Sequence, residues 1–154
     1  MRADKYVEQL KDLDSEIEMK QDDERELWAL ATRITQNFSG MPFGSHDNDQ
    51  MTGIVNKIIE ARKRTNAKID EYVDTRLDVI KHIEMLPTRQ REVIHWLYVR
   101  KREKRSKGQG WYYTWSEVAE NMGCTEQNVG KLRRKAIKNL QKILDSEEKV
   151  EKVD

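Results

Sequence analysis

One cysteine, two prolines and seven glycines in 154 residues leave few ways to staple, kink or punctuate this chain. The lone Cys124 excludes an intrachain disulfide, and its sequence neighbours offer no partners for a metal site or an activated thiol. It sits at an apolar position, which points to burial. Scarce β-branched alternation, with so little Pro and Gly, argues against a turn-rich β architecture. No apolar run approaches the roughly 20 residues needed to span a bilayer. The first residues, MRADKYVEQLKDLD, lack the apolar core of a signal peptide. A soluble, cytoplasmic protein is expected. Also missing are a phosphate-binding glycine loop, a Cys/His cluster and a nuclease-type set of carboxylates on a β scaffold. An enzyme is therefore not expected, and no cofactor or metal is implied.

What is present is charge. Charged residues make up 37% of the chain and hydrophobic ones 36%, a balance that suits long solvated helices around a thin core. The expected fold class is all-α. The net charge of +1 conceals a segregation of sign. Residues 1–85 carry 13 basic and 18 acidic side chains, residues 86–144 carry 14 and 5, and the last ten carry 2 and 5. A strongly basic segment between two acidic ones suggests a polyanion as partner.

The apolar spacing predicts a long helix over residues 3–36, with Tyr6, Leu10, Leu13 and Ile17 on its stripe and Leu27, Leu30 or Ala31, and Ile34 resuming it. Asn37 to Asp49 is a connector of turn residues, with Met41 and Phe43 tucked against its flanks and Asp49 as N-cap. A second long helix is expected over 50–85. Its stripe is Met51, Ile54 or Val55, Ile58, Thr65, Ile69, Tyr72 or Val73, Val79 or Ile80, and Ile83. The two should form a long antiparallel hairpin. Folding about Phe43 sets Asp22, Asp23 and Glu24 opposite Arg62, Lys63 and Arg64, either as a register-fixing charged layer or as solvated faces. Such a hairpin buries little. The leftover Trp28, Ile59 and Val73 point to a further partner surface, with a homo-oligomer the favoured reading.

Pro87 ends the second helix and Thr88 is the expected N-cap of a shorter one, RQREVIHWLYVR, with Val93, Ile94, Leu97 and Tyr98 inward. His82 and His95 show no carboxylate or cysteine arrangement around them and are read as structural. Arg100 to Tyr113 breaks the pattern: six of its first eight residues are Lys or Arg, followed by Gly-Gln-Gly and three aromatics. It reads as a flexible basic loop with Trp111, Tyr112 and Tyr113 folded back on the core. Thr114-Trp115-Ser116-Glu117 is a capping box. Ala119, Gly123, Val129 and Leu132 have helix-turn-helix spacing, with Thr125 capping the second helix and Val118, Met122, Val129 and Leu132 locking the pair. Asp145 to Asp154 is charged and aperiodic, an expected frayed tail. The expected domains are therefore 1–85, 86–145 and a tail at 146–154.

From Leu86 onward the pattern resembles sigma-70 region 4. The matching residues are Leu86-Pro87, Arg91 to Ile94, Trp115 to Ala119 with Met122-Gly123, Thr125-Glu126, Val129, and Ala136-Ile137 with Leu140. Two departures are the longer basic loop and Gly130 within the second motif helix, where glycine costs about 1 kcal/mol relative to alanine. The melting helices of a complete sigma factor have no counterpart. The acidic hairpin, with SGMPFG in its connector, ahead of a region-4-like domain is similar to RinA/ArpU-like transcriptional regulators of phages and prophages of Gram-positive bacteria. That resemblance implies late-gene activation in a bacterial cytoplasm, by binding double-stranded DNA. Thr125, Glu126, Gln127, Lys131 and Arg134 would meet base edges or flanking phosphates. Arg133, Lys135, Arg100, Lys101, Arg102, Lys104, Arg105 and Lys107 would serve mainly phosphates. Alternatives are a phage packaging protein like the terminase small subunit and an adaptor that binds RNA polymerase.

Overall fold

The computed structural model describes residues 1–38 and 45–153. The chain is all-helical, and among the described residues no strand forms. The helices are α1 (Ala3–Phe38), α2 (Ser45–Ile83), α3 (Thr88–Ile94), α4 (Trp115–Met122) and α5 (Glu126–Val153). The centre of the expected connector, with Met41 and Phe43, lies outside the described residues. Helix α2 begins at Ser45, so Asp49, expected to cap it, falls inside the helix. Residues 12–73 form one compact unit, and residues 1–11 with 74–154 form another.

The 12–73 unit has a thin core. Leu13, Ile17 and Ala31 of α1 and Ile58 and Thr65 of α2 are its buried side chains. The Thr65 hydroxyl donates to the Ala61 carbonyl at 3.0 Å, which satisfies it away from water. Where the stripe left two candidates, the structure selects one. Ala31, Ile54 and Tyr72 turn inward, while Leu30, Val55 and Val73 stay more than 40% exposed. Arg62 donates to Glu24 at 3.0 Å, the partnership the expected register requires, and Lys68 reaches Glu16 at 3.0 Å. The residue number rises along α1 as it falls along α2, so the helices are antiparallel here. Asp22 pairs instead with Arg25 along its own helix.

In the other unit the core gathers Val7 and Leu10 from α1, Val79 and Ile83 from α2, Val93 and Ile94 from α3, Val118 and Ala119 from α4, and Val129, Ala136 and Leu140 from α5. Thr88 does not cap α3. It is the first helical residue, preceded by Pro87 in extended geometry, and no side-chain cap forms. Helix α3 widens into one π-helical turn, His95–Val99, closed by the Arg100 N–H on the His95 carbonyl at 2.7 Å. The extra residue per turn explains why Leu97, Tyr98 and Val99 are buried in succession, where an α-helix would have turned one of them out.

Helix α5 continues through the stretch expected to fray. Its last turns carry contacts that sequence periodicity does not reveal. Glu147 bonds His82 at 2.6 Å, and Gln141 accepts from the Ala3 N–H at 2.7 Å, occupying one of the open donors at the start of α1.

Candidate functional site

The α4–α5 pair is defined at its joint by local chemistry. Thr114 accepts the Glu117 N–H at 3.3 Å while the Thr114 N–H donates to Glu117 at 3.2 Å, so the expected capping box is complete. Gly123 ends α4 at φ 67°, the left-handed region where a side chain would be strained. Thr125 accepts the Asn128 N–H at 3.2 Å and caps α5. Val118, Met122 and Val129 are buried between the helices, whereas Leu132 is only half-buried. Gly130 lies under an indole. A Cβ there would stand 3.3 Å from Cζ3 of Trp115. The neighbour that glycine accommodates is therefore a side chain of α4.

With its apolar side engaged, α5 leaves Thr125, Glu126, Gln127, Lys131, Arg134 and Lys135 exposed. Arg133 differs. It is half-buried, its Nε donates to the Tyr98 hydroxyl at 2.6 Å, and its guanidinium faces the Trp115 ring at 6.0 Å. Burial, the first cause, pushes the Tyr98 phenol up, against the pull of Arg133.

The Arg100–Tyr113 segment is ordered by its own backbone. Lys101 and Tyr112 form an antiparallel bridge, the Arg102 N–H donates to the Trp111 carbonyl at 2.8 Å, and a turn closes from Gln109 N–H to Ser106 carbonyl at 3.0 Å, with Gly108 at φ 86°. Within the segment expected as a basic loop, these bonds thus outline a short arm. Its aromatics do fold back. Tyr113 meets Trp96 edge-on with ring centres 5.1 Å apart, and the Tyr112 hydroxyl lies 3.5 Å from the Leu10 carbonyl. Basic side chains cover the rings: Arg100 stands 3.9 Å over Trp96, and Arg105 4.9 Å over Trp111.

Arg102 has a separate place. Its side chain is 11% exposed, pairs with both oxygens of Glu117 and donates to the Gly110 carbonyl at 3.0 Å. Glu117 therefore holds the arm and caps α4 at once. Hydrogen bonds from Arg102, and then from Thr114, hold its carboxyl down to about 2. Of the thirteen residues singled out by sequence, Arg102 and Arg133 are engaged inside the chain. Arg100, Lys101, Lys104, Arg105 and Lys107 are exposed on the arm.

The sequence reading missed a cluster around His82. The ring is 4% exposed. Nε2 is 2.6 Å from Glu147, while Nδ1 is 2.8 Å from the Asp78 carbonyl and 2.7 Å from the Tyr6 hydroxyl, which itself lies 2.6 Å from the Asp78 carboxylate. His82, for which no carboxylate arrangement was expected, thus has two carboxylates beside it, Glu147 and Asp78. Asp78, four residues before His82 on one helix, was a readable signal; Tyr6 and Glu147 were not. Cys124 is half-buried rather than fully so. Among the described residues no group of three or more His, Cys, Asp or Glu is placed to hold a metal ion, and no helix is long and apolar enough to cross a membrane. No family model, curated protein or solved structure matches the chain.

Proposed function

We propose that this chain is a sequence-specific DNA-binding transcription regulator with a sigma region 4-like helix-turn-helix, of the kind found in phage and prophage late-gene activators. In this reading α4 and α5 are the two motif helices, and α1 with α2 is a helical hairpin through which copies associate. The observation that carries it is the division of α5: Val129, Ala136 and Leu140 are buried on one side, while Gln127, Lys131, Arg134 and Lys135 stand exposed on the other. A helix of this kind, short-coupled to α4, has the makings of a major-groove reader. Lys131 and Arg134 serve bases or flanking phosphates, Gln127 suits adenine, and the arm's cations serve phosphates. Arg102 and Arg133 support these surfaces from behind.

The test is selection of bound sequences from random duplex DNA, followed by anisotropy titrations on the selected site. Lys131→Ala and Arg134→Ala each lower affinity for the selected site more than for unrelated DNA. No binding to any duplex at low salt overturns the proposal and, if RNA polymerase is retained, favours the adaptor reading. An eight- or nine-membered ring by light scattering favours a packaging role.

A further inference from the structure

The geometry points to a nucleotide-binding cleft between the π-helical turn and the arm, one that takes a single unpaired nucleotide whose base carries an exocyclic amino group. The inference goes beyond duplex reading by α5 and does not depend on it. The cleft measures about 530 Å³, the size of a small-ligand site, and all its lining residues belong to the unit of residues 1–11 and 74–154. Its floor is aromatic. The π-helical turn buries Leu97, Tyr98 and Val99 and leaves Trp96 half-buried, and Tyr113, returning on the arm, meets that indole edge-on at 5.1 Å. A smaller cleft of about 170 Å³ shares Trp96 and Arg100 with it.

The charges that line the cleft separate into those already held and those not. Arg102 is tied to Glu117, and Lys101 stands 5.9 Å over Trp111. Arg100 and Lys104 are exposed, and among the described residues neither enters an ion pair; nor does Glu103, the acid on the cleft wall. Arg100 is placed instead by an aromatic contact, its guanidinium 3.9 Å over the Trp96 ring. One side of this planar group is thus occupied and the other is turned away from the indole. A guanidinium plane is a platform for a nucleobase, and its N–H edge donates to phosphate. Lys104 adds a point charge for the same phosphate. Glu103 disfavours inorganic phosphate alone, because like charges repel, and suits the amino group of cytosine, adenine or guanine. A flat ring, an anion and an amino donor together describe a nucleotide. A paired base cannot enter, since its faces are covered by its neighbours in the stack. The occupant is therefore unpaired, either as a free nucleotide or exposed in a strand.

The test uses the full chain and two fluorescent probes: the deoxynucleoside monophosphate of 2-aminopurine, and a short single strand with one 2-aminopurine among abasic sites. The expected result is a saturable rise in probe anisotropy. Deoxyadenosine monophosphate competes for the site, whereas deoxyribose phosphate and thymidine monophosphate, which lack an amino-bearing base, compete several-fold less well. Arg100→Ala weakens binding about fivefold or more, as expected for a lost base stack. Arg100→Lys keeps the charge but not the plane and weakens it likewise; both variants are checked for unaltered helicity. Binding of the monophosphate identifies a free nucleotide as the occupant, and binding of the strand alone identifies a nucleotide exposed in a strand. No anisotropy change with either probe overturns the inference. So does equal competition by deoxyribose phosphate or thymidine monophosphate, or an Arg100→Lys protein that binds as tightly as the wild type. Duplex binding is scored separately. Duplex binding without nucleotide capture refutes only this inference, and capture without duplex binding refutes only the proposed function.

Discussion

At the scale of single residues, the basic side chains divide by what already holds them. Arg102 and Arg133 look in sequence like their neighbours, yet one is locked to Glu117 and the other to Tyr98. The Glu117 pair has a pH signature. Its carboxyl is held near 2 in the folded chain against an ordinary 4.5, so the stability it contributes is complete above 4.5 and is lost as pH falls towards 2. Glu117→Gln removes that dependence. Thermal melts from pH 6 to pH 2 are expected to show a smaller fall in Tm for the variant between 4.5 and 2 than for the wild type. Its Tm at neutral pH is lower, since the arm clamp weakens. Gly130 gives a second expectation. Alanine there gains up to about 1 kcal/mol of helix propensity, and its Cβ asks Trp115 to yield by a few tenths of an ångström. The indole is 45% exposed and can move. Gly130→Ala therefore raises Tm slightly, and Gly130→Val, with two further methyls under the ring, lowers it. A fall in Tm for the alanine variant means the indole's seat matters more than the helix.

At the scale of elements, the end of α5 is held to α2 through a histidine that needs its charge. Nε2 faces the Glu147 carboxylate, and Nδ1 faces the Asp78 carbonyl as well as the Tyr6 hydroxyl; carbonyl and carboxylate cannot donate, so the doubly protonated ring is the form that satisfies all of these contacts. The Tyr6 hydroxyl then gives its proton to Asp78; burial, and next that hydrogen bond, keep the phenol protonated. For His82, burial works against the charge, but the hydrogen bonds to Glu147 and the Asp78 carbonyl, with the charges of Glu147 and Asp78, outweigh it and raise the pKa above 6.5. The linked stability is fully present below 6.5 and is lost as pH rises through the raised folded value. Tm is expected to fall as pH rises from 6 to 9, and His82→Gln flattens that slope while lowering Tm at pH 6. Equal slopes for both proteins count against a charged His82. Capping chemistry at Thr114, Gly123 and Thr125 was legible in sequence because it is local. Partners far apart in the chain, such as Glu147, leave no periodic trace. The π-helical turn also escaped: nothing in HWLYV announces an extra residue, and packing of three successive apolar side chains selects it. The reading of Leu30 or Ala31, and of Val55 or Ile54, stayed open because adjacent apolar residues share a stripe until a partner helix selects one.

At the scale of the whole molecule, the segregation of charge seen in the sequence becomes a test of the proposed DNA binding. Each phosphate neutralised contributes about −0.9 to the slope of log K against log salt. Formal charge in the arm and in the exposed part of α5 overstates that number, because Arg102 and Arg133 are committed to Glu117 and Tyr98. The two kinds of cation should therefore respond differently to neutralisation. Lys104→Gln, exposed on the arm, is expected to flatten the slope by about one unit with Tm unchanged. Arg102→Gln, which breaks the tie to α4, lowers Tm. Replacing Lys101, Lys104, Arg105 and Lys107 together by glutamine flattens the slope by several units on selected and unrelated duplexes alike, because phosphate contacts carry no sequence. Lys131→Ala differs again, reducing the preference for the selected site. Anisotropy titrations of each variant at four or more salt concentrations separate these outcomes. If the slope for the quadruple variant equals that of the wild type, the arm does not lie along DNA, and the phosphate role proposed for these four side chains is overturned.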